Sequence, residues 1–155
     1  MNGNPPPRTT GKSVGGFSLV EVLIALIVMS VGMLGIAGLY VHGMQAGRTS
    51  LFRHQAVLLA GDVADRIRAN PDGGAAYEGA GADNGCVGGT IDCNAAEMAA
   101  NDILLWLDQA AATLPDGQVA VVYTNGVPST YRVTVTWSEA GDTPSYEIEF
   151  PVFEM

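Results

Sequence analysis

A single carboxylate, Glu21, stands at the N-terminal edge of the most apolar stretch of the chain. From Val22 to Val41 almost every side chain is apolar, with Ser30 and the Tyr40 hydroxyl as the polar interruptions. An ionised carboxylate in hydrocarbon costs several kcal/mol, about 2.5–3.5 even on lenient scales, unless something pairs with it. The other reactive groups are Cys86 and Cys93, the only cysteines, which bracket Val-Gly-Gly-Thr-Ile-Asp. A metal site would want four ligands at closer spacing, and His42 and His54 are not placed to help. The acids Asp72, Glu78, Asp83 and Asp92 fit no EF-hand spacing. No Gly-rich phosphate loop and no Ser-His-Asp or Cys-His arrangement is present, so neither enzymatic activity nor a metal or other cofactor is expected.

The run that carries Glu21 is long enough, at about 1.5 Å per residue, to cross a bilayer core of roughly 30 Å. Upstream, residues 1–16 (MNGNPPPRTTGKSVGG) are polar, contain Arg8 and Lys12, lack acids, and end in Gly15-Gly16 before Phe17. A protease cutting after Gly16 would leave a new α-amino group on Phe17, four residues from Glu21. A short basic leader, Gly, then Phe-Ser-Leu-Val-Glu running into a hydrophobic helix resembles the class III leader of type IV prepilins. The resemblance implies cleavage after Gly16 by a membrane prepilin peptidase and methylation of the Phe17 amine. It casts Glu21 as the partner of the amine of a neighbouring subunit. The physics agrees, since two buried groups of opposite charge satisfy each other and neither is stable alone. A cleaved secretory signal would have a core of about 7–15 residues and an A-x-A-like site. This core is longer, and Val41-His42-Gly43 is a poor site. A plain anchor explains the hydrophobicity but neither Gly-Gly-Phe nor Glu21.

At 155 residues the chain has room for one soluble domain plus an anchor. The formal net charge is −9, and losing a leader with two cations and no acid takes it to −11. An acidic product is a poor nonspecific binder of nucleic acid, because phosphate contacts need Lys and Arg. Charge alone leaves topology open, with Arg8 and Lys12 before the apolar run and Arg48 and Arg53 after it. The leader and the cysteines put the C-terminal domain outside the inner membrane.

Gly32, Gly35 and Gly38 recur at spacing three in the second half of the apolar run. Each would cost a soluble helix about 1 kcal/mol relative to Ala. They serve either close helix packing or a segment weak enough to unwind when subunits pack into a filament. Major pilins often carry a proline where this chain has Gly38. Beyond Val41 the pattern turns amphipathic, with Phe52, Ala56, Leu59, Val63 and Ile67 at three- or four-residue steps. Asp62 and Arg66 stand four apart, a pairing worth a few tenths of a kcal/mol. Asn70-Pro71-Asp72-Gly73-Gly74 stops the pattern, so one helix of roughly 50 residues and about 80 Å is expected from Phe17 to Ala69. Residues 56–71 (AVLLAGDVADRIRANP) resemble the segment that marks minor pilins of the PilV family, the type IV pilus modification proteins, with Ile67 in place of their usual Met.

Residues 71–94 read as a loop rich in Gly, Ala, Asp and Asn. Within it, Cys86 and Cys93 are expected to form a disulfide in an oxidising periplasm. Asn94-Ala95-Ala96-Glu97 has the form of a capping box and opens a helix to about Thr113, with Ala99, Ile103, Trp106 and Ala110 along one stripe. Leu114-Pro115-Asp116-Gly117 ends it. Val119–Tyr123, then Tyr131, Val133, Val135 and Trp137 alternating with polar residues, then Tyr146, Ile148 and Phe150 read as three strands. Asn125-Gly126 with Pro128, and Gly141-Asp142 with Pro144, mark the turns between them. An antiparallel meander covering the C-terminal half of the long helix follows.

The fold class expected is α+β with the type IV pilin architecture. Its parts are a leader (1–16), a membrane and filament-core half-helix (17–41) and a periplasmic head (42–155). The resemblance implies a minor pilin that primes pilus assembly and sits in a tip complex. Its partners would be prepilin peptidase, other minor pilins, a tip adhesin, the inner-membrane assembly platform and the major pilin. No nucleic acid is expected. The location would be the inner membrane before assembly and the extracellular pilus after it. The alternatives are a pseudopilin of a type II secretion system and an adhesin whose head contacts a surface.

Overall fold

The computed structural model describes residues 15–88 and 91–153. The leader up to Val14 therefore lies outside the described residues, Arg8 and Lys12 included. The chain divides into two compact units, up to Met44 and from Gln45.

The first unit holds the apolar start of helix α1 (Leu19–Ala69). Ser18 opens the helix: its carbonyl accepts the Glu21 and Val22 amides at 3.0 and 3.2 Å, and its hydroxyl accepts the Val20 amide at 3.4 Å. Glu21 thus sits in the first turn, where the helix dipole favours a negative charge. Farther along, the Ser30 hydroxyl donates to the Ile27 carbonyl at 2.8 Å. That local bond satisfies the one hydroxyl midway through the run. The side chains from Leu19 to Met44 are exposed, and the helix is long and apolar enough to cross a membrane.

In the second unit α1 buries Ala56, Leu59, Ala60, Val63, Ala64 and Ile67, the stripe that three- and four-residue steps place on one face. Helix α2 (Ala95–Thr113) begins with a complete capping box. The Asn94 side chain accepts the Glu97 amide at 2.9 Å, and the Glu97 carboxylate accepts the Asn94 amide at 3.0 Å. The helix buries Ala99, Ile103, Trp106 and Ala110, as its sequence stripe requires. Its exit is tight: a Cβ on Gly117 would collide with the Ala110 carbonyl oxygen, so only glycine fits the turn into the sheet.

Strands β1 (Gln118–Thr124), β2 (Ser129–Thr136) and β3 (Ser145–Val152) pair antiparallel in the order β1-β2-β3. This is the α+β arrangement with a three-stranded meander that the sequence pattern predicts. Tyr131 lies opposite Tyr123 and Phe150, and Val133 opposite Val121 and Ile148. Tyr131, Val133, Val135, Phe150 and Val152 form one buried cluster with the stripes of α1 and α2. Aromatic contacts run through it, with ring centroids 5.7 Å apart for Tyr77 and Trp106 and 6.0 Å for Tyr131 and Phe150. Such pairs contribute roughly 0.5–1.5 kcal/mol each beyond the area they bury. The opposite face of the sheet is charged, with the Arg132 guanidinium 2.8 Å from Glu149 and 3.5 Å from Glu147.

Two features were not in the sequence pattern. The start of the expected loop, Pro71–Glu78, is 3-10 helical, with a kink at Gly74 (φ 48°). Pro71 presets the first turn, and the reason the segment folds back is Tyr77, which is 1% exposed. The second is Glu139, in the β2–β3 turn. Its carboxylate accepts the Thr49 hydroxyl and the Trp137 indole N–H, each at 2.8 Å, so it ties the hairpin to α1.

Candidate functional site

The residues singled out by chemistry fall in two places. Gly15, Gly16 and Phe17 precede α1 in extended chain, and all three are exposed. Phe17 and Glu21 share a shallow groove with Val22, Ala25, Leu26 and Met29, whose lining is nearly all apolar apart from the carboxylate. No hydrogen bond or ion pair engages the Glu21 side chain among the described residues. The helix runs unbroken through Gly32, Gly35 and Gly38, and a Cβ on any of them would meet nothing within 4 Å. Packing among the described residues therefore does not require their small size.

The head is held at the end of α1 by the stretch Asp65-Arg66-Ile67-Arg68-Ala69-Asn70. Arg66 donates to Asp102 on α2 at 3.0 Å and lies 3.2 Å from Asp62 on its own helix. Asp102 has a side chain only 5% exposed. Burial pushes its carboxyl above the usual range, while the hydrogen bond and charge of Arg66 pull it back. Arg68 pairs with Asp65 at 3.0 Å and lays its guanidinium over the Phe150 ring, 4.6 Å from the centroid. Asn70 donates to the Tyr77 hydroxyl at 3.0 Å and to the Ala95 carbonyl at 2.9 Å. Ile67 fills the core between them. One short segment thus joins α1 to α2, to the 3-10 turn and to β3.

Cys86 and Cys93 are bonded to each other. Among the described residues no group of His, Cys, Asp and Glu could hold a metal ion. Asp102 is the functional-grade contact that sequence reasoning missed. The Asp62–Arg66 spacing pointed to a local pair, but nothing in Asn101-Asp102-Ile103 announces a carboxylate that faces a helix 36 residues away.

Residues 11–37 match the prokaryotic N-terminal methylation motif, which takes in Gly16, Phe17, Glu21, Gly32 and Gly35. Residues 38–104 match the family described as type IV pilin Tt1218, over the second part of α1, the Asp65–Asn70 stretch, the disulfide and the first half of α2. No curated protein and no solved structure matches the chain. A prepilin motif followed by a long apolar helix fits membrane anchoring before pilus assembly. With its long N-terminal helix, added helix and small antiparallel sheet, the chain carries a type IV pilin domain behind a prepilin N-terminal methylation motif.

Proposed function

We propose that this pilin is a minor subunit of the kind represented by the type IV pilus modification proteins: it primes pilus assembly and is retained in a small complex at the tip. The observation that carries the reading is the Asp65–Asn70 stretch, in which Arg66 holds α2, Arg68 lies over Phe150 of β3, and Asn70 holds Tyr77 and the start of α2. In this account prepilin peptidase removes residues 1–16 and the Phe17 amine is methylated. Residues 17–41 anchor the subunit and later enter the filament core, and the head faces the periplasm. The head is assigned from His42, close to Gln45, where the second compact unit starts. Among the described residues Glu21 has no partner, and the Phe17 amine of a neighbour supplies one. Other minor pilins, a tip adhesin, the assembly platform and the major pilin are the partners.

Glu21→Ala tests the pairing. Cleavage depends on Gly16 and Phe17, so the variant is processed and inserted. Removing one member of a buried pair costs about 3–5 kcal/mol, so its entry into sheared pili and the number of pili per cell fall. Wild-type incorporation and piliation by Glu21→Ala would refute the role.

A further inference from the structure

Asparagine is followed by glycine at three places in the chain, of which Asn84-Gly85 and Asn125-Gly126 lie among the described residues. Such a pair holds both partners of a reaction. The backbone nitrogen after an asparagine attacks the side-chain carbonyl carbon and closes a five-membered ring. Glycine has no Cβ to hinder that approach or to restrict the backbone rotation it needs. Nucleophile and electrophile sit on adjacent residues, so no encounter is required and local geometry sets the rate.

The structure treats the two pairs differently. Asn84 is clamped against α2. Its side-chain amide donates to the Glu97 carbonyl at 2.9 Å, and its backbone N–H donates to the Asn101 side-chain oxygen at 3.4 Å. The Gly85 N–H, which must lose its proton before the nitrogen can attack, donates to the Asp83 carboxylate at 3.0 Å. A negative charge on that proton opposes its removal. The Cys86–Cys93 bond follows directly and closes the loop. Asn125 and Gly126, by contrast, are both exposed in the connection between β1 and β2. Among the described residues no hydrogen bond engages the Asn125 side chain or the Gly126 N–H. The Gly126 carbonyl alone is used, by the Ser129 hydroxyl at 3.3 Å. Thr124 with Thr130 is the last pair of the β1–β2 ladder, so both residues lie outside it.

We propose that Asn125 is a site of spontaneous covalent modification, deamidation through a succinimide, and that the fold holds Asn84 back from the same reaction. Hydroxide takes the Gly126 N–H proton. The nitrogen then bonds to the Asn125 side-chain carbonyl carbon. The carboxamide nitrogen leaves as ammonia, taking its last proton from water and restoring the hydroxide. A second water opens the ring at either carbonyl. One opening yields an aspartyl residue, and the other an isoaspartyl residue whose main chain runs through the side-chain carbon. The sum turns an amide and water into a carboxylic acid and ammonia, with nothing oxidised or reduced. Either product places a negative charge beside the exposed Val127 without removing a strand pair. The site stands whether or not the assembly reading above holds.

The test incubates the full-length chain in detergent and heavy-oxygen water at mildly alkaline pH, and follows both sites by peptide mapping. The peptide holding Asn125 converts at least tenfold faster than the one holding Asn84. It separates into aspartyl and isoaspartyl forms, each with one heavy oxygen taken from water. In urea with the disulfide reduced the two rates converge, because the fold is what sets them apart. Asn125→Gln, whose longer side chain must close a six-membered ring, loses the conversion at that position and leaves the Asn84 rate unchanged. Equal rates at the two sites in the folded chain overturn the proposal. So do products without heavy oxygen, and so does a tenfold difference that persists in urea.

Discussion

The Arg66 guanidinium meets the Asp102 carboxylate at 3.0 Å and joins the last turns of α1 to the second turn of α2. The pair is asymmetric: Asp102 is buried, while the Arg66 side chain is 44% exposed. Arg66→Ala leaves a buried carboxylate without its donor and costs about 1–3 kcal/mol. Asp62→Ala breaks the exposed i,i+4 contact and costs only a few tenths of a kcal/mol. Urea unfolding of the three proteins at one pH measures the ranking.

The same pair gives a pH signature. Burial raises the Asp102 carboxyl above its ordinary value of 3.8, so the folded state holds this proton more tightly than the unfolded chain. Its contribution is fully present below 3.8 and is lost as pH rises through the raised value. Asp102→Asn removes that dependence. The stability of Asp102→Asn relative to wild type is therefore expected to increase from about pH 4 to pH 7. A difference that stays flat or declines over that range would contradict the burial account.

The bond between Cys86 and Cys93 closes a short loop that leads into the Asn94 cap of α2. Loop-closure entropy gives such a staple about 2–3 kcal/mol. Non-reducing peptide mapping should recover both residues in one linked species. Cys93→Ser should lower stability by that amount without unfolding the sheet, as followed by circular dichroism and urea.

Gly32, Gly35 and Gly38 each have open space where a Cβ would stand, so alanine fits all three in the isolated chain. The triple alanine variant gains about 1 kcal/mol of helix propensity per site. It should be cleaved and inserted normally yet enter pili poorly, because close approach or unwinding against neighbours is what alanine removes. Wild-type entry would show that the glycines have no part in assembly.

Periodicity made most of the fold legible. Ala56, Leu59, Val63 and Ile67 on α1, and Ala99, Ile103, Trp106 and Ala110 on α2, are where repeated three- and four-residue steps placed them. The strands followed from strict alternation around Tyr131, Val133 and Val135. Contacts between elements distant in sequence left no such trace. Tyr77 pulls the chain after Asn70 into 3-10 turns through burial against Trp106 and Tyr131, and Glu139 grips Thr49 across 90 residues. Composition reads as loop in both places because Pro71, Asp72, Gly73 and Gly74 in the one, and Gly141, Asp142 and Pro144 in the other, are turn residues. At the N-terminus the sequence pattern alone marked Glu21, since its carboxylate has no partner among the described residues.

The most direct measurement is the intact mass and N-terminal sequence of this chain recovered from sheared pili. The account predicts a chain beginning at N-methylated Phe17, present in far fewer copies than the major pilin. A chain beginning at Met1, a chain cut after Val41, or a processed chain confined to the membrane fraction would contradict it.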